Sequence, residues 1–238
     1  MKKILVTAPI SKVKDYCMED WINHILNLTY ASYDILLVDN SHDNNYYKEL
    51  KKKFPQVNFL YFNPTGLESK VFITQCQEKS RAYAISNNYT HIMSIECDVF
   101  PPLNVIEELL RVQSDIACGF YSFDFEHNRK PLLQSSDYFN THYSIRNMDY
   151  DETFILADGK NHQIFGGGLG CCLISRKVFC AIPFRIVDKQ DSHSDPYFFM
   201  DCELSGFTTT LNTNMFCEHR NQNWSHQYSM ILNQQLFK

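Results

Sequence analysis

Short apolar runs alternate with amphipathic stretches along the first half of the chain. The runs predict strands at 4–8, 33–38, 57–62 and 91–95, and the stretches between them predict helices at 15–28, 45–54 and 69–88. Because these strands are largely apolar on both faces, the pattern favours a mostly parallel sheet that is covered by helices on both sides. We therefore predict an α/β fold with a Rossmann-like order of strands and helices.

The second half of the chain is less regular. It predicts the end of a helix at 107–112, a strand at 116–123, a glycine-rich segment at 165–175 and a short helix at 176–181. The polar region 128–160 fits a loop, a hairpin or a lid over an acceptor. No composition break marks a linker, so we predict one domain, 1–238, which ends in a polar tail at 225–238.

Composition narrows the class of protein. The chain has 238 residues and a formal net charge of −5, which argues against a general nucleic-acid coat. No stretch is apolar for long enough to predict a membrane span, and the start of the sequence does not read as a signal peptide. The nine cysteines follow no disulfide framework, so we expect reduced thiols and a cytoplasmic location.

Polar residues follow the predicted strands at the points where the strands end. In chain order they lie in Pro9-Ile10-Ser11, in Asp39-Asn40-Ser41, in Asn63-Pro64, and at Glu96 and Asp98. In parallel sheets a ligand sits at the carboxyl ends of the strands, near the point where the strand order reverses. Polar residues after all four strands therefore favour a ligand-binding rim over ordinary polar loops.

Glu96 and Asp98 form a pair of carboxylates one residue apart, directly after the fourth strand. Mg²⁺ and Mn²⁺ prefer oxygen ligands, and Mg²⁺ sites in proteins commonly combine one or two carboxylates with substrate phosphates. The pair predicts a metal–diphosphate site, and the alternative is a turn in which one acid accepts backbone N–H groups.

A series of short motifs extends this pattern through the chain. The motifs are Asp39, Asn63, Arg81, Glu96-Cys97-Asp98, Gly166-Gly167-Gly168 and Cys217-Glu218-His219. Their order and spacing resemble nucleotide-sugar-dependent glycosyltransferases of the A fold, similar to the family 2-like enzymes that carry an Asp-x-Asp motif. The resemblance runs from Ile4 to about His219, and it implies a single domain of that fold.

The resemblance implies a donor-nucleotide site at the ends of the first strands. Asp39 matches the acid that binds the base or ribose, and the loop with Thr7 and Pro9 matches the one that lines the base. Arg81 lies in a helix that matches loosely the one whose cation reaches the diphosphate. Asn63 is placed with the same donor-binding residues.

The Asp-x-Asp motif corresponds to Glu96-Cys97-Asp98, with Glu in place of the first Asp. The resemblance implies that Asp98 binds Mn²⁺ or Mg²⁺ directly and that His219 completes the metal shell. Glu96 is expected to contact the ribose or a metal-bound water. The Asp-to-Glu change also leaves room for a degenerate, non-catalytic site.

The resemblance also implies a catalytic base, because inverting members use an acid that precedes a Phe-rich helix. Asp195 matches it best, and Asp191 and Asp201 are alternatives. Ser194 or Asp195 before Pro196 also fits an ordinary helix start, with proline as the first helical residue.

The sugar and acceptor side is implied by the glycine-rich segment. Gly167 and Gly168 match residues that lie against the donor sugar and the acceptor, where a bare backbone allows close approach. Trp224 is a candidate for stacking on a sugar ring, with core packing as the alternative.

The implied function is metal-dependent transfer of a sugar from a nucleotide sugar, with UDP as the expected nucleotide and a guanosine donor still open. The alternatives are a nucleotidyltransferase and a non-catalytic protein that binds nucleotide or carbohydrate. The acceptor stays open among a glycan, a lipid-linked sugar, a protein and a DNA base. Residues 1–102 are expected to form the nucleotide-binding half, and 103–224 the acceptor and metal half.

Overall fold

The computed structural model describes residues 2–62, 69–125, 128–131, 133–139, 142–186 and 193–220. The strands are β1 (Ile4–Ile10), β2 (Tyr33–Asp39), β3 (Asn58–Tyr61), β4 (His91–Ile95), β5 (Val99–Phe100), β6 (Ile116–Phe120), β7 (Ser122–Phe125), β8 (Asn128–Pro131), β9 (Leu133–Phe139), β10 (His142–Asn147), β11 (Asn161–Ile164), β12 (Gly166–Gly167), β13 (Cys171–Ser175), β14 (Thr209–Phe216) and β15 (Glu218–His219). The helices are α1 (Asp15–Leu26), α2 (Asn45–Lys53), α3 (Ser69–Ser86), α4 (Val105–Arg111), α5 (Tyr150–Leu156), α6 (Arg176–Ala181) and α7 (Ser194–Leu204).

An eight-stranded sheet forms the centre of the molecule, in the order β11-β14-β6-β13-β4-β1-β2-β3. Strand β1 pairs in parallel with β2 and β4, β2 pairs in parallel with β3, and β6 pairs in parallel with β14. Strand β13 runs antiparallel to β4 and β6, and β11 runs antiparallel to β14. The prediction of a mostly parallel sheet is confirmed.

Helices cover both faces of this sheet, as predicted. Apolar residues of α1, α2 and α4 pack in one core cluster, and those of α3, α6 and α7 pack in the other. Helix α1 shows why: Met18, Trp21, Ile22 and Ile25 recur at helical spacing and are buried. The indole N–H of Trp21 also donates to the carbonyl of Val99 at 2.9 Å, which fixes β5 against α1.

The less regular half resolves into definite elements. The predicted strand at 116–123 is interrupted, because β6 ends at Phe120 and Tyr121 separates it from β7. Within the region 128–160, β9 and β10 form an antiparallel pair, as the hairpin alternative predicts. Helix α5 follows and starts with a capping box between Asp149 and Glu152.

The start of α7 differs from the sequence prediction. Ser194 is already helical, His193 is the N-cap residue, and Pro196 lies in the first turn rather than at its first position. The hydroxyl of Ser194 donates to Gln77 Oε1 at 2.7 Å, so a contact with α3 takes the place of a side-chain cap.

The nine cysteines are free thiols, and all of them except Cys180 are buried. None of the helices in the described part of the chain is long and apolar enough to cross a membrane.

Candidate functional site

A cavity of about 1210 Å³ lies at the carboxyl ends of β1 and β4. Strand β1 is the point at which the strand order changes direction, since β2 and β4 flank it on opposite sides. Such crevices are where open α/β sheets bind ligands. Walls come from the ends of these strands, from α3 and α7, and from the β9–β10 hairpin.

Two carboxylates and an imidazole meet at the floor of the cavity. Glu96 and Asp98 follow β4, and His219 is brought beside them because β15 pairs with β5, with His219 opposite Val99. One ligand atom from each of the three side chains lies within 4.8 Å of the others. His219 Nε2 is 3.3 Å from Asp98 Oδ2, and both side chains are buried.

The two acids of this cluster titrate in opposite directions. Burial, together with the nearby charges of Asp98 and Asp195, raises the pKa of Glu96 to about 7. Burial also acts to raise the pKa of Asp98, but hydrogen bonds and charge from His219 and Lys14 outweigh it and hold that pKa below its ordinary value. The site therefore holds one carboxylate firmly ionised and a second that protonates readily.

The donor set fits a divalent cation. Two carboxylates and one histidine nitrogen suit Mn²⁺, and oxygen ligands suit Mg²⁺. One of these candidate ligands already has a positively charged partner, because the Lys14 ammonium pairs with Asp98 Oδ2. Positive charge is thus favoured at the oxygen where a cation would bind.

Asp195 enters the same cavity from the first turn of α7. Its Oδ2 accepts a hydrogen bond from the backbone N–H of Leu169 at 3.0 Å, which ties α7 to the glycine-rich segment. Burial raises its pKa, while the hydrogen bond from Leu169 N–H and the nearby His193 act in the opposite direction. A buried carboxylate with a raised pKa is suited to accept a proton.

The glycine-rich segment lies directly against α7. A Cβ at Gly166 would lie 2.3 Å from the Phe199 ring, so only glycine allows this approach of strand and helix. Gly167 lines the main cavity, and Gly167 and Gly168 both line a small space of about 10 Å³ next to Tyr121.

Only some of the residues predicted to bind the donor nucleotide line the cavity. Among the described residues, the cavity lining includes Pro9 but neither Thr7 nor Asp39. Thr7 is buried, and its hydroxyl is 2.7 Å from that of Ser80. Asp39 is fully buried and accepts hydrogen bonds from Ser41.

Asn40 reaches the cavity in place of Asp39. Asp39 is the last residue of β2, and its side chain is buried. Asn40 is the first residue after the strand, and it lines the cavity.

Arg81 does not belong to the described lining of the cavity either. Its guanidinium donates to the carbonyls of Phe179 and Cys180 and to Glu78, so it joins α3 to α6. Asn63 and Trp224 lie outside the described residues, and so does the alternative base Asp191.

Several cavity residues were missed from the sequence. They are Lys14, Gln77, Tyr121, Gln134, Arg146, Asn147 and Arg185. Lys14 carried a usable signal, because a lysine in the loop after the first strand is a common phosphate ligand. The others did not, because their approach to the cavity depends on contacts with distant parts of the chain.

Tyr121 has a central position among these residues. Its hydroxyl accepts a hydrogen bond from Gly170 N at 3.0 Å, and its ring lies edge-on to His219 with centroids 5.8 Å apart. The ring of Tyr121, in the break between β6 and β7, therefore lies against the candidate metal-binding cluster.

No family model matches the chain, and no curated protein matches its sequence. Solved structures give the comparison. The chain is similar to A197 from STIV with a TM-score of 0.48 and 12% identity, covering 92% of this chain and 86% of that one. That TM-score is too low to support an assignment.

A second structure is that of GalNAc-T7 with UDP, GalNAc and Mn2+, with a TM-score of 0.61 and 11% identity over 94% of this chain. The chain has a glycosyltransferase-like fold. The predicted fold class is thereby confirmed, and at 11% identity the likeness concerns the fold alone. This chain spans 45% of the length of GalNAc-T7.

Proposed function

We propose that the protein is a metal-dependent glycosyltransferase that moves a sugar from a nucleoside-diphosphate sugar to an acceptor hydroxyl. One observation carries the proposal: the cluster of Glu96, Asp98 and His219 lies on the floor of a large cavity at the ligand-binding edge of a glycosyltransferase-like sheet. UDP is the expected nucleotide, since the structurally similar GalNAc-T7 was determined with UDP and Mn2+.

In this proposal Asp98 and His219 hold the cation, and Glu96 contacts the ribose or a metal-bound water. The cation, Mn²⁺ or Mg²⁺, supplies positive charge to the departing diphosphate. Pro9 and Asn40, at the ends of β1 and β2, line the side where the nucleotide would lie. Thr7, Asp39 and Arg81 do not line the cavity. They stabilise the strands and helices around it through hydrogen bonds with Ser80, Ser41 and the carbonyl of Phe179, respectively.

Asp195 is the proposed base. It takes the proton from the acceptor hydroxyl while the acceptor oxygen forms a bond to the anomeric carbon. The bond between that carbon and the diphosphate oxygen breaks, and the electron pair leaves with the nucleoside diphosphate. The raised pKa of Asp195 and its place on the same cavity as Asp98 support this role.

Release of nucleoside diphosphate tests the proposal. The protein is incubated with UDP-sugars and GDP-sugars in Mn²⁺, in Mg²⁺ and in chelator, with and without candidate acceptors. Wild type is expected to release the diphosphate of one donor only with metal. Asp98→Asn should abolish the release, and Asp195→Asn should lower kcat about 10²- to 10⁴-fold while nucleotide still binds.

Asp34→Asn is the matched control for Asp98→Asn. Asp34 is also an aspartate paired with a lysine, Lys3 at 3.6 Å, but it lies near the amino end of β2, at the other end of the strands from the cavity. The control should keep wild-type release. If no donor is turned over and neither UDP nor GDP binds with Mn²⁺, the transferase proposal is wrong. Binding without turnover would instead identify a nucleotide-binding protein.

A further inference from the structure

Lys14 lies on the candidate metal-binding aspartate. It ends a short 3-10 turn, Lys12–Lys14, which follows β1 and is capped by Ser11. Its ammonium pairs with Asp98 Oδ2, the same oxygen that lies 3.3 Å from His219 Nε2. One carboxylate oxygen thus has two positive or potentially positive partners.

The two side chains of this ion pair differ in their exposure to solvent. The side chain of Asp98 is 4% exposed, whereas that of Lys14 is 36% exposed and lines the cavity. A lysine has a flexible stem and a compact charge that binds phosphate readily. Lys14 can therefore swing into the cavity while Asp98 stays fixed.

A divalent cation and the Lys14 ammonium compete for Asp98. Both are positive, and at one oxygen their charges would repel each other strongly in a buried site. If a cation is bound there, the displaced ammonium loses its partner, and an anion in the cavity would stabilise it. The diphosphate of a nucleotide is an anion of the required kind at the required place.

We propose that Lys14 neutralises Asp98 in the ligand-free protein and moves to the diphosphate when cation and nucleotide bind together. This inference rests on the proposed function and adds a residue that couples its two ligands. The nucleotide gives the displaced ammonium a partner and so favours cation binding. By linkage the cation favours nucleotide binding by the same factor.

Binding of Mn²⁺, followed by the electron paramagnetic resonance signal of the free ion, tests the coupling without any activity. Wild type, Lys14→Met and Lys12→Met are titrated alone and with UDP or GDP, whichever wild type binds. Lys12 is the matched control, because it lies in the same turn but pairs with Asp15 on the surface. Thermal unfolding checks that each variant is folded.

Lys14→Met is expected to bind Mn²⁺ alone about tenfold more tightly than wild type, because the competing ammonium is gone. The factor by which nucleotide strengthens Mn²⁺ binding should fall about tenfold, since the diphosphate has lost one cationic partner. Lys12→Met should match wild type in both measurements. Lys14→Gln gives the same comparison if the methionine variant does not fold.

The outcomes separate the two proposals. If wild type binds Mn²⁺ and nucleotide but Lys14→Met changes neither affinity nor coupling, the role of Lys14 is refuted and the transferase proposal stands. If Lys14→Met binds Mn²⁺ more weakly than wild type, the competition is refuted as well. If no variant binds Mn²⁺ with or without nucleotide, the metal site itself is wrong, and both proposals fall with it.

Discussion

The close contact between Gly166 and α7 allows a sharp test of how the fold positions the candidate base. Replacing Gly166 by alanine adds one methyl group against Phe199, whose ring is fully buried between the sheet and α7. Asp195 lies in the first turn of the same helix. A displacement of the helix at Phe199 should therefore also reach the Asp195 carboxylate.

The size of the effect follows from the distances. The new Cβ would lie 2.3 Å from Phe199 Cγ and 2.6 Å from its Cβ, whereas ordinary contact begins at 3.4 Å. The helix must withdraw by about 1.1 Å, because an atom so near the backbone cannot move by rotation alone. Overpacking of this kind costs about 1–3 kcal/mol, and this site belongs at the upper end.

Urea and thermal unfolding measure the cost. A loss of about 3 kcal/mol lowers the Tm of a domain of this size by roughly 6–12 °C. Gly206→Ala is the control, because its φ of 77° strains an alanine while its Cβ would meet nothing within 4 Å. That backbone strain costs about 1 kcal/mol. The donor-release assay and Mn²⁺ binding are then measured on both variants.

We expect Gly166→Ala to slow diphosphate release as well as to destabilise the fold, because the 3.0 Å bond between Leu169 N and Asp195 depends on the position of α7. Mn²⁺ affinity should stay unchanged, since Asp98 and His219 are on other elements. A free energy of unfolding within about 0.5 kcal/mol of wild type would refute the steric reasoning. Normal turnover in a destabilised variant would refute the link to Asp195.

Two further predictions concern stability. Burial lowers the pKa of His91 to about 4, so below its ordinary 6.5 the unfolded chain binds the extra proton and wild type should lose stability as pH falls from 6.5 to 4. His91→Gln should show a flatter profile in urea unfolding, and a parallel profile would contradict the prediction. Arg185 forms two bonds to Asp201, at 2.7 and 2.8 Å, on the rim of the cavity. Arg185→Met should cost about 1 kcal/mol at low salt and less in 1 M salt, whereas Arg111→Met, at an exposed pair, should change little.

The predictions that held rest on local patterns. Apolar runs such as Ile4–Ile10 are buried on both faces of a strand, and α1 places its apolar residues on one side, so both can be read from spacing alone. The acid pair at 96 and 98 follows from the same logic, because a polar motif directly after a buried strand must lie at the edge of the sheet. The donor, the acceptor, the base and the division into two halves stay predictions.

Other predicted site residues lie in the expected strands and helix, but their side chains make contacts that the sequence did not predict. Asp39 and Thr7 lie near the expected edge, but their side chains are buried and bond within the fold, to Ser41 and to Ser80, so neither lines the cavity. Arg81 lies in the expected helix, yet its guanidinium is taken by the carbonyls that end α6. A sequence gives the period of a strand or helix, but not which face meets which neighbour.

The sequence by itself determined the α/β class, the order of its elements and the presence of two carboxylates at a strand end. The resemblance implied His219 as a metal ligand, but only the tertiary structure brings it beside them, because the β15–β5 ladder pairs residues that are far apart in sequence. The tertiary structure likewise decided that Lys14 lies on Asp98 and that Tyr121 faces His219. Local sequence patterns show which residues are buried in the core, whereas a site of this kind is assembled by contacts between residues that are far apart in sequence.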